Sequence, residues 1–298
     1  MSVTTAAVSD RDLSTPSLAD VLDLERYPLH DLEGARMTEV IEACRAQLRE
    51  DGCIVLEGFV KEAAREAIRS ESLALTPHAA FTESRVNAYF TEDDPSLPEG
   101  DPRRMFMSRT SGFVPRDCFD EGSLIRAIYE SPLTQRFLAR CFEVPALYDY
   151  ADPLAGLTLN VVPSGAEFPW HYDTNHFAVT LMTQPSEHGG EFQYAPNIRT
   201  PDDECFESVA DVIEGNGGQR VTTLELAPGD LQLFRGRYSL HRVAPVTGPS
   251  DRLLAVFAYC EEPGMIGRME RTRQLFGRVT QAHVDAQANL SRNDTLVD

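Results

Sequence analysis

The sequence predicts an α+β protein that is mainly β: an antiparallel sandwich or barrel preceded by helices. Three observations carry that prediction. After Tyr148, six short apolar runs recur between Gly, Pro and Asn signals, the mark of an antiparallel sandwich or barrel. Before it, apolar residues recur at helical spacing, as in Met37, Val40, Ile41, Cys44 and Leu48. No internal repeat divides the chain, and 298 residues suffice to bury one sizeable core.

Each element follows from local chemistry. Residues 1–20 are rich in Ser, Thr, Ala and Asp without a period, and read as a flexible tail. The first helix, from Met37, should stop at Glu50-Asp51-Gly52, where the glycine suits a C-terminal cap. A short strand is expected at 53–56, and a helix rich in Ala, Glu and Arg at 60–75. Residues 91–104, TEDDPSLPEGDPRR, are a polar, proline-rich loop, and a helix is expected over 124–142. The six β runs are 157–162, 177–182, 190–194, 220–226, 230–234 and 252–259. The expected organisation is a tail at 1–20 and one domain over 21–298. That domain divides into a helical part at 30–145, a β core at 146–262 and a C-terminal helix at 265–290.

Composition removes several function classes. Asp and Glu number 47 against 27 Lys and Arg, a net charge of -20, which argues against nucleic-acid and anionic-membrane partners. The longest apolar run, 253–260, is too short to span a bilayer. The first residues, MSVTTAAVSD, lack a basic region and an apolar stretch, so no signal peptide and a cytoplasmic location are expected. Six cysteines, none in a C-x-x-C pair, fit reduced buried thiols. Lys61 is the single lysine, so no other lysine nucleophile is available. The sequence carries no signal of oligomeric state.

The chemistry concentrates in two stretches. In extended chain, residues i and i+2 share a face, so His171 and Asp173 can present an imidazole and a carboxylate to one point. His241 follows a later strand that a closed barrel can return beside the first. Two histidines and one carboxylate with open positions form the facial triad of non-haem Fe(II) oxygenases. Arg252 opens the run RLLAVFAY, and a guanidinium facing a barrel interior needs a reason, such as the far carboxylate of a metal-bound keto acid.

The His-x-Asp, distal His and following Arg together resemble the Fe(II)/2-oxoglutarate-dependent dioxygenases. WHYD, the turn at 228–230 and the GGEF at 189–192 fit as well. GGEFQYAPNIR, LFRGRYSLHRVAPV and YPLHD are similar to a bacterial branch that hydroxylates or chlorinates free amino acids and other small metabolites. The resemblance spans roughly residues 25 to 275. It implies a double-stranded β-helix (jelly-roll) core with flanking N-terminal helices. It further implies His171, Asp173 and His241 as iron ligands and catalytic centre, with Arg252 on the C5 carboxylate of 2-oxoglutarate. Fe(II), 2-oxoglutarate and O2 are then the cofactor and cosubstrates. Chlorinating members replace the carboxylate by a small residue, whereas this chain keeps Asp173, so hydroxylation of a small-molecule substrate is the expectation.

Other residues stay open. Asn160 and Thr180 flank the motif and could hydrogen-bond the keto acid. Arg109 is either an ion-pair partner or a clamp for a substrate carboxylate, and Asn87 and Tyr89 are weaker candidates of the same kind. Trp170, beside His171, either fills the core or lines the pocket. His176 is a rival ligand or a pocket residue. His30, His78 and His283 lack metal-like partners, and His188 suits a solvated turn. The charges at 202–204 suit a solvated loop, part of a lid over the barrel mouth. The competing readings are a metal-dependent hydrolase or isomerase, or a metabolite sensor, on a cupin-like barrel.

Overall fold

The computed structural model describes residues 18–81 and 84–286. The expected tail lies outside them as far as residue 17, and so does the expected C-terminal helix beyond residue 286. From residue 18 the chain is already ordered in a short helix, α1 (Leu18–Val21), because Val21 is buried in the main core.

Helix α2 (Ala35–Glu50) buries Met37, Ile41, Cys44 and Leu48, the stripe expected from its spacing. It ends at Asp51, and Gly52 follows with φ of +67°, the left-handed residue expected there. Strand β1 (Cys53–Leu56) leads into helix α3 (Glu62–Leu75). Short strands follow: β2 (Ala80–Phe81), β3 (Ser84–Val86), β4 (Met107–Arg109) and β5 (Gly112–Val114). The single helix expected over 124–142 is two, α4 (Leu124–Glu130) and α5 (Pro132–Phe142). Pro132 forces the break, since it cannot donate into a continuing helix and holds Ser131 extended. The Ser131 hydroxyl then caps α5 by accepting from the amides of Leu133 and Thr134.

The rest is β6 (Tyr148–Asp149), β7 (Leu157–Val162), β8 (Phe168–His171), β9 (Ala178–Gln184), β10 (Phe192–Ala195), α6 (Phe206–Ile213), β11 (Thr222–Leu224), β12 (Leu231–Phe234), β13 (Leu240–Val243), β14 (Arg252–Phe257), β15 (Tyr259–Cys260), α7 (Met269–Phe276) and α8 (Gln281–Ala286). All six β runs read from the sequence form strands. The two that carry the histidines, β8 and β13, lie outside those runs.

Two antiparallel sheets face each other. The larger has the order β1-β12-β9-β14-β7-β5-β2, and the smaller β11-β10-β13-β8. The strands from β7 to β14 alternate between the sheets in a double-stranded β-helix, except that β10 and β11 pair within the smaller one, and the N-terminal β1, β5 and β2 widen the larger sheet. On its outer face Leu157, Leu159, Val161, Val179, Leu181, Leu231, Leu233, Leu253, Ala255 and Phe257 join α2–α5 in one apolar core. The alternate residues face the smaller sheet. There Cys53 and Phe234 meet Phe192 and Tyr194, and Val162 meets Phe168 and Val243. All six cysteines are free thiols. Among the described residues, no helix is long and apolar enough to cross a membrane.

Candidate active site

Strands β8 and β13 set the centre. His241 lies opposite His171, and Val243 opposite Phe168, so one strand takes three steps where the other takes two. The extra residue is a β-bulge, and Pro169, with no amide hydrogen to lose, suits it. The bulge brings Phe168 and His171 to the same inward face, their rings 3.9 Å apart. It turns Trp170 outward, under the Arg242 guanidinium at 4.7 Å and beside Leu240, in the cluster beneath α6. The reading of Trp170 as a pocket wall is thus corrected: the bulge puts it on the other face of the sheet.

Both imidazoles are oriented alike. Nδ1 of His171 lies 2.8 Å from the Pro169 carbonyl, and Nδ1 of His241 3.0 Å from that of Ser239. A carbonyl can only accept, so Nδ1 carries the hydrogen and the Nε2 lone pair is free to ligate. The two Nε2 atoms lie 4.0 and 3.6 Å from Asp173 Oδ1. The three donors lie within 4.8 Å of one another, a span suited to one ion with bonds of about 2.1 Å. Burial, and then the nearby His241, push the His171 pKa well below its usual value, so it stands neutral and ready to ligate. Burial pushes the Asp173 carboxyl up, but His241, His171 and Arg271 outweigh it and keep the group ionised.

Backbone contacts fix Asp173 just past the strand. The Tyr172 amide donates to the Ala88 carbonyl and the Asp173 amide to that of Gly236. A Cβ at Gly236 would lie 1.8 Å from Asp173 Oδ2, so the chain at 236 is glycine because the carboxylate occupies that space. Arg237, fully buried, donates to the Thr174 carbonyl and steadies the following turn.

Arg252 begins β14 opposite Val162, on the inward face. It is 1% exposed, and neither Nη1 nor Nη2 has a hydrogen-bond partner among the described residues. Burial alone pushes its pKa down to about 10, so it remains charged near neutrality. A buried cation with two idle donors is costly unless a ligand completes it, and a carboxylate matches its geometry. Gly190 leaves the room: a Cβ there would sit 3.1 Å from Arg252 Cδ. Asn160 and Thr180 share this inward face. Asn160 Nδ2 donates to the Gly112 carbonyl at 3.3 Å, and Thr180 Oγ1 to Gln232 Oε1 at 2.9 Å.

The remaining candidates separate. Arg109 is 1% exposed and donates from Nη2 to the Gln274 carbonyl of α7 at 2.6 Å. Asn87 is engaged by its own loop: Nδ2 lies 2.6–3.0 Å from Thr91 O, Thr91 Oγ1 and Arg103 O, while Oδ1 accepts from the Tyr89 and Thr91 amides. Its amide therefore holds the loop, and the expected substrate contact is replaced by that work. His176 is exposed near Glu261 and is not among the converging donors. The charges at 202–204 are not wholly solvated, since Glu204 Oε2 pairs with the buried Arg199 at 2.9 Å. His283 is buried with Nε2 3.0 Å from Asp152, which ties α8 to the body.

Two residues of the site had no signal in the sequence. The Arg271 guanidinium lies 3.5 Å from the centre of the Phe90 ring, and that ring meets His171 edge-on at 5.8 Å. Nothing in the polar helix sequence MERTRQLF marks Arg271 as different from its neighbours, and Phe90 sits just ahead of a polar loop.

The fold recurs in solved structures. A 2OG-Fe(II) oxygenase family oxidoreductase from Burkholderia pseudomallei is 16% identical with a TM-score of 0.50, over 75% of this chain and 92% of that one. The alpha-ketoglutarate-dependent epimerase SnoN of nogalamycin biosynthesis is 13% identical at 0.51, over 74% and 81%. AviO1 from Streptomyces viridochromogenes is 15% identical at 0.50, over 74% and 94%. At these identities the likeness speaks for the fold alone. No curated protein matches the sequence. The family model described as Halogenase D matches residues 37–275, a stretch that takes in the converging donors, Arg252 and most of α7. The chain therefore belongs to the Halogenase D family and is an Fe(II)- and 2-oxoglutarate-dependent oxygenase of the halogenase-like branch.

Proposed function

We propose that the enzyme hydroxylates an unactivated C–H bond of a small polar metabolite, a free amino acid being the favoured class, with release of succinate and CO2. His171, Asp173 and His241 would hold the iron, and Arg252 would bind the C5 carboxylate of 2-oxoglutarate, with Asn160 and Thr180 beside it. Iron with the keto acid and O2 supplies the oxidising power to break such a bond. The protein's own part is positional. Backbone carbonyls keep both Nε2 lone pairs aimed at one point, and Arg252 neutralises and orients the keto acid. The buried Arg109 would clamp a substrate carboxylate, and His176 stands as a candidate wall residue nearer solvent.

The observation that carries hydroxylation over chlorination is the fit of Asp173 to Gly236. A halide would need the space that the carboxylate fills. A hydrolase or sensor on the same barrel has no use for a buried guanidinium with two idle donors.

Two steps test the reading. Anaerobic protein given Fe(II) and then 2-oxoglutarate should develop a weak visible charge-transfer band that Arg252→Ala diminishes. An amino-acid panel is then exposed to O2 with chloride present, and products are read by mass. Gain of oxygen is expected. Exchange of hydrogen for chlorine would overturn hydroxylation, and absence of the band from folded, metal-loaded protein would overturn the whole assignment.

A further inference from the structure

One polar chain on the inward face of the larger sheet is left unused by the foregoing chemistry. Thr180 on β9 and Gln232 on β12 are direct partners, and Thr180 Oγ1 donates to Gln232 Oε1 at 2.9 Å. Gln232 Nε2 donates in turn to Cys53 Sγ on β1 at 3.2 Å. All three side chains are buried. Register gives their place. Strand β9 starts at Ala178, opposite Phe234, whose ring meets His241 at 4.8 Å. It ends at Gln184, opposite Leu253 and beside Arg252. Thr180 therefore lies along the wall between the metal donors and Arg252, the stretch that a keto acid held at both ends would cover.

The hydrogen bonds of this chain point the wrong way for such a neighbour. A hydroxyl has one hydrogen, and Thr180 spends it on Gln232. The carboxylates of 2-oxoglutarate only accept, so Thr180 has nothing to give them while Gln232 Oε1 faces it. Each member of the chain is nonetheless both donor and acceptor. A carbamoyl group has nearly the same outline with its oxygen and nitrogen exchanged. Burial pushes the Cys53 thiol pKa up to about 12, against hydrogen bonds from Gln232 and Tyr194, so near neutrality it keeps an S–H to donate.

We propose that Cys53, Gln232 and Thr180 form a reversible hydrogen-bond relay that turns over when 2-oxoglutarate binds. In the loaded arrangement the Cys53 thiol donates to Gln232 Oε1 and Gln232 Nε2 donates to Thr180 Oγ1. The Thr180 hydroxyl is then released to donate to a carboxylate of the keto acid. Every hydrogen stays on its own heavy atom: the O–H and S–H rotate, and the amide turns. Aligned head to tail toward the carboxylate, the three bonds reinforce one another. Gln232 and Cys53 are positioning residues, acting through Thr180. This rests on the oxygenase reading above and on Thr180 as a keto-acid contact.

The test reads the thiol itself. Anaerobic protein loaded with Fe(II) is compared with and without saturating 2-oxoglutarate by infrared difference spectroscopy in the S–H stretching window, where the other five thiols cancel. Keto-acid binding should move one S–H band to lower frequency as the thiol becomes a donor, and Cys53→Ala should delete that band. Thr180→Val, once saturated, should form the charge-transfer band yet leave the S–H band in place. Titration of the charge-transfer band should show binding about 3- to 10-fold weaker in Thr180→Val and in Cys53→Ala. Cys53→Ser, whose hydroxyl fills both roles, should bind near wild type. Melting of each ligand-free variant checks that it folds. A Cys53 band that the keto acid does not move, a shift that survives in Thr180→Val, or Cys53→Ser as weak as Cys53→Ala would each overturn the relay. If folded, metal-loaded wild type forms no charge-transfer band, the oxygenase reading fails instead, so the two failures are distinguishable.

Discussion

The two faces of the larger sheet are built from the same strands and do opposite work. Outward, toward the helices, β7 and β14 present Leu157, Leu159 and Val161 with Leu253, Ala255 and Phe257, all essentially unexposed. Inward, the alternate positions carry the buried polar or charged Thr158, Asn160 and Arg252 among the apolar Val162, Leu254 and Val256. Period-two alternation lets one strand serve both. The outer face holds the fold through apolar area at about 25 cal/mol per Å2. The inner face holds groups that are satisfied only in part by the protein, and that shortfall is what a ligand can complete.

The contrast breaks first on the outer face. Phe257→Ala should cost about 3–5 kcal/mol of stability, measured by denaturant unfolding, because it empties a site packed against Tyr129. Keto-acid affinity of the folded fraction should stay near wild type. On the inner face, Arg252→Ala should do the reverse. Titration of 2-oxoglutarate should show a loss of about 2–5 kcal/mol, while the ligand-free protein unfolds no sooner, since a buried charge with idle donors has been removed. If Arg252→Ala instead destabilises the empty protein by several kcal/mol, the guanidinium has a structural partner and the division of labour is wrong. The smallest effect is expected at the edge between faces. Gly236→Ala should lower iron affinity by about 10- to 100-fold with little change in unfolding, because the methyl displaces Asp173. Competition with a chelator would measure it.

Legibility from sequence follows the same division. Runs such as 157–162 could be read because an inward Thr or Asn between outward Leu and Val still leaves a β-rich pattern. His171 and Asp173 could be read because their spacing states a shared direction. What escaped is what depends on another strand or a distant segment. The sequence FPWH does not say that β8 holds one residue more than its partner needs, so Trp170 could not be placed from its neighbours. Ser131-Pro132 was a local break inside an otherwise good helical stretch. Arg271 comes to the site only because α7 folds back over Phe90, and a helix of eight residues that is polar on most sides carries no mark of what it covers.

The bulge in β8 has a further consequence, in the language of parity. Along a regular strand a residue's side is fixed by whether its count is odd or even. One added residue at Pro169 inverts that count, so His171 is inward although simple counting from Phe168 would make it outward. Deleting that one residue would restore a regular two-residue step opposite His241 and Val243, with Phe168 and His171 both still inward. A one-residue alignment gap at this place therefore leaves the direction of the imidazole unchanged, whereas the four residues FPWH laid into a regular strand would turn it outward, so a transplant of that stretch has to carry its bulge along.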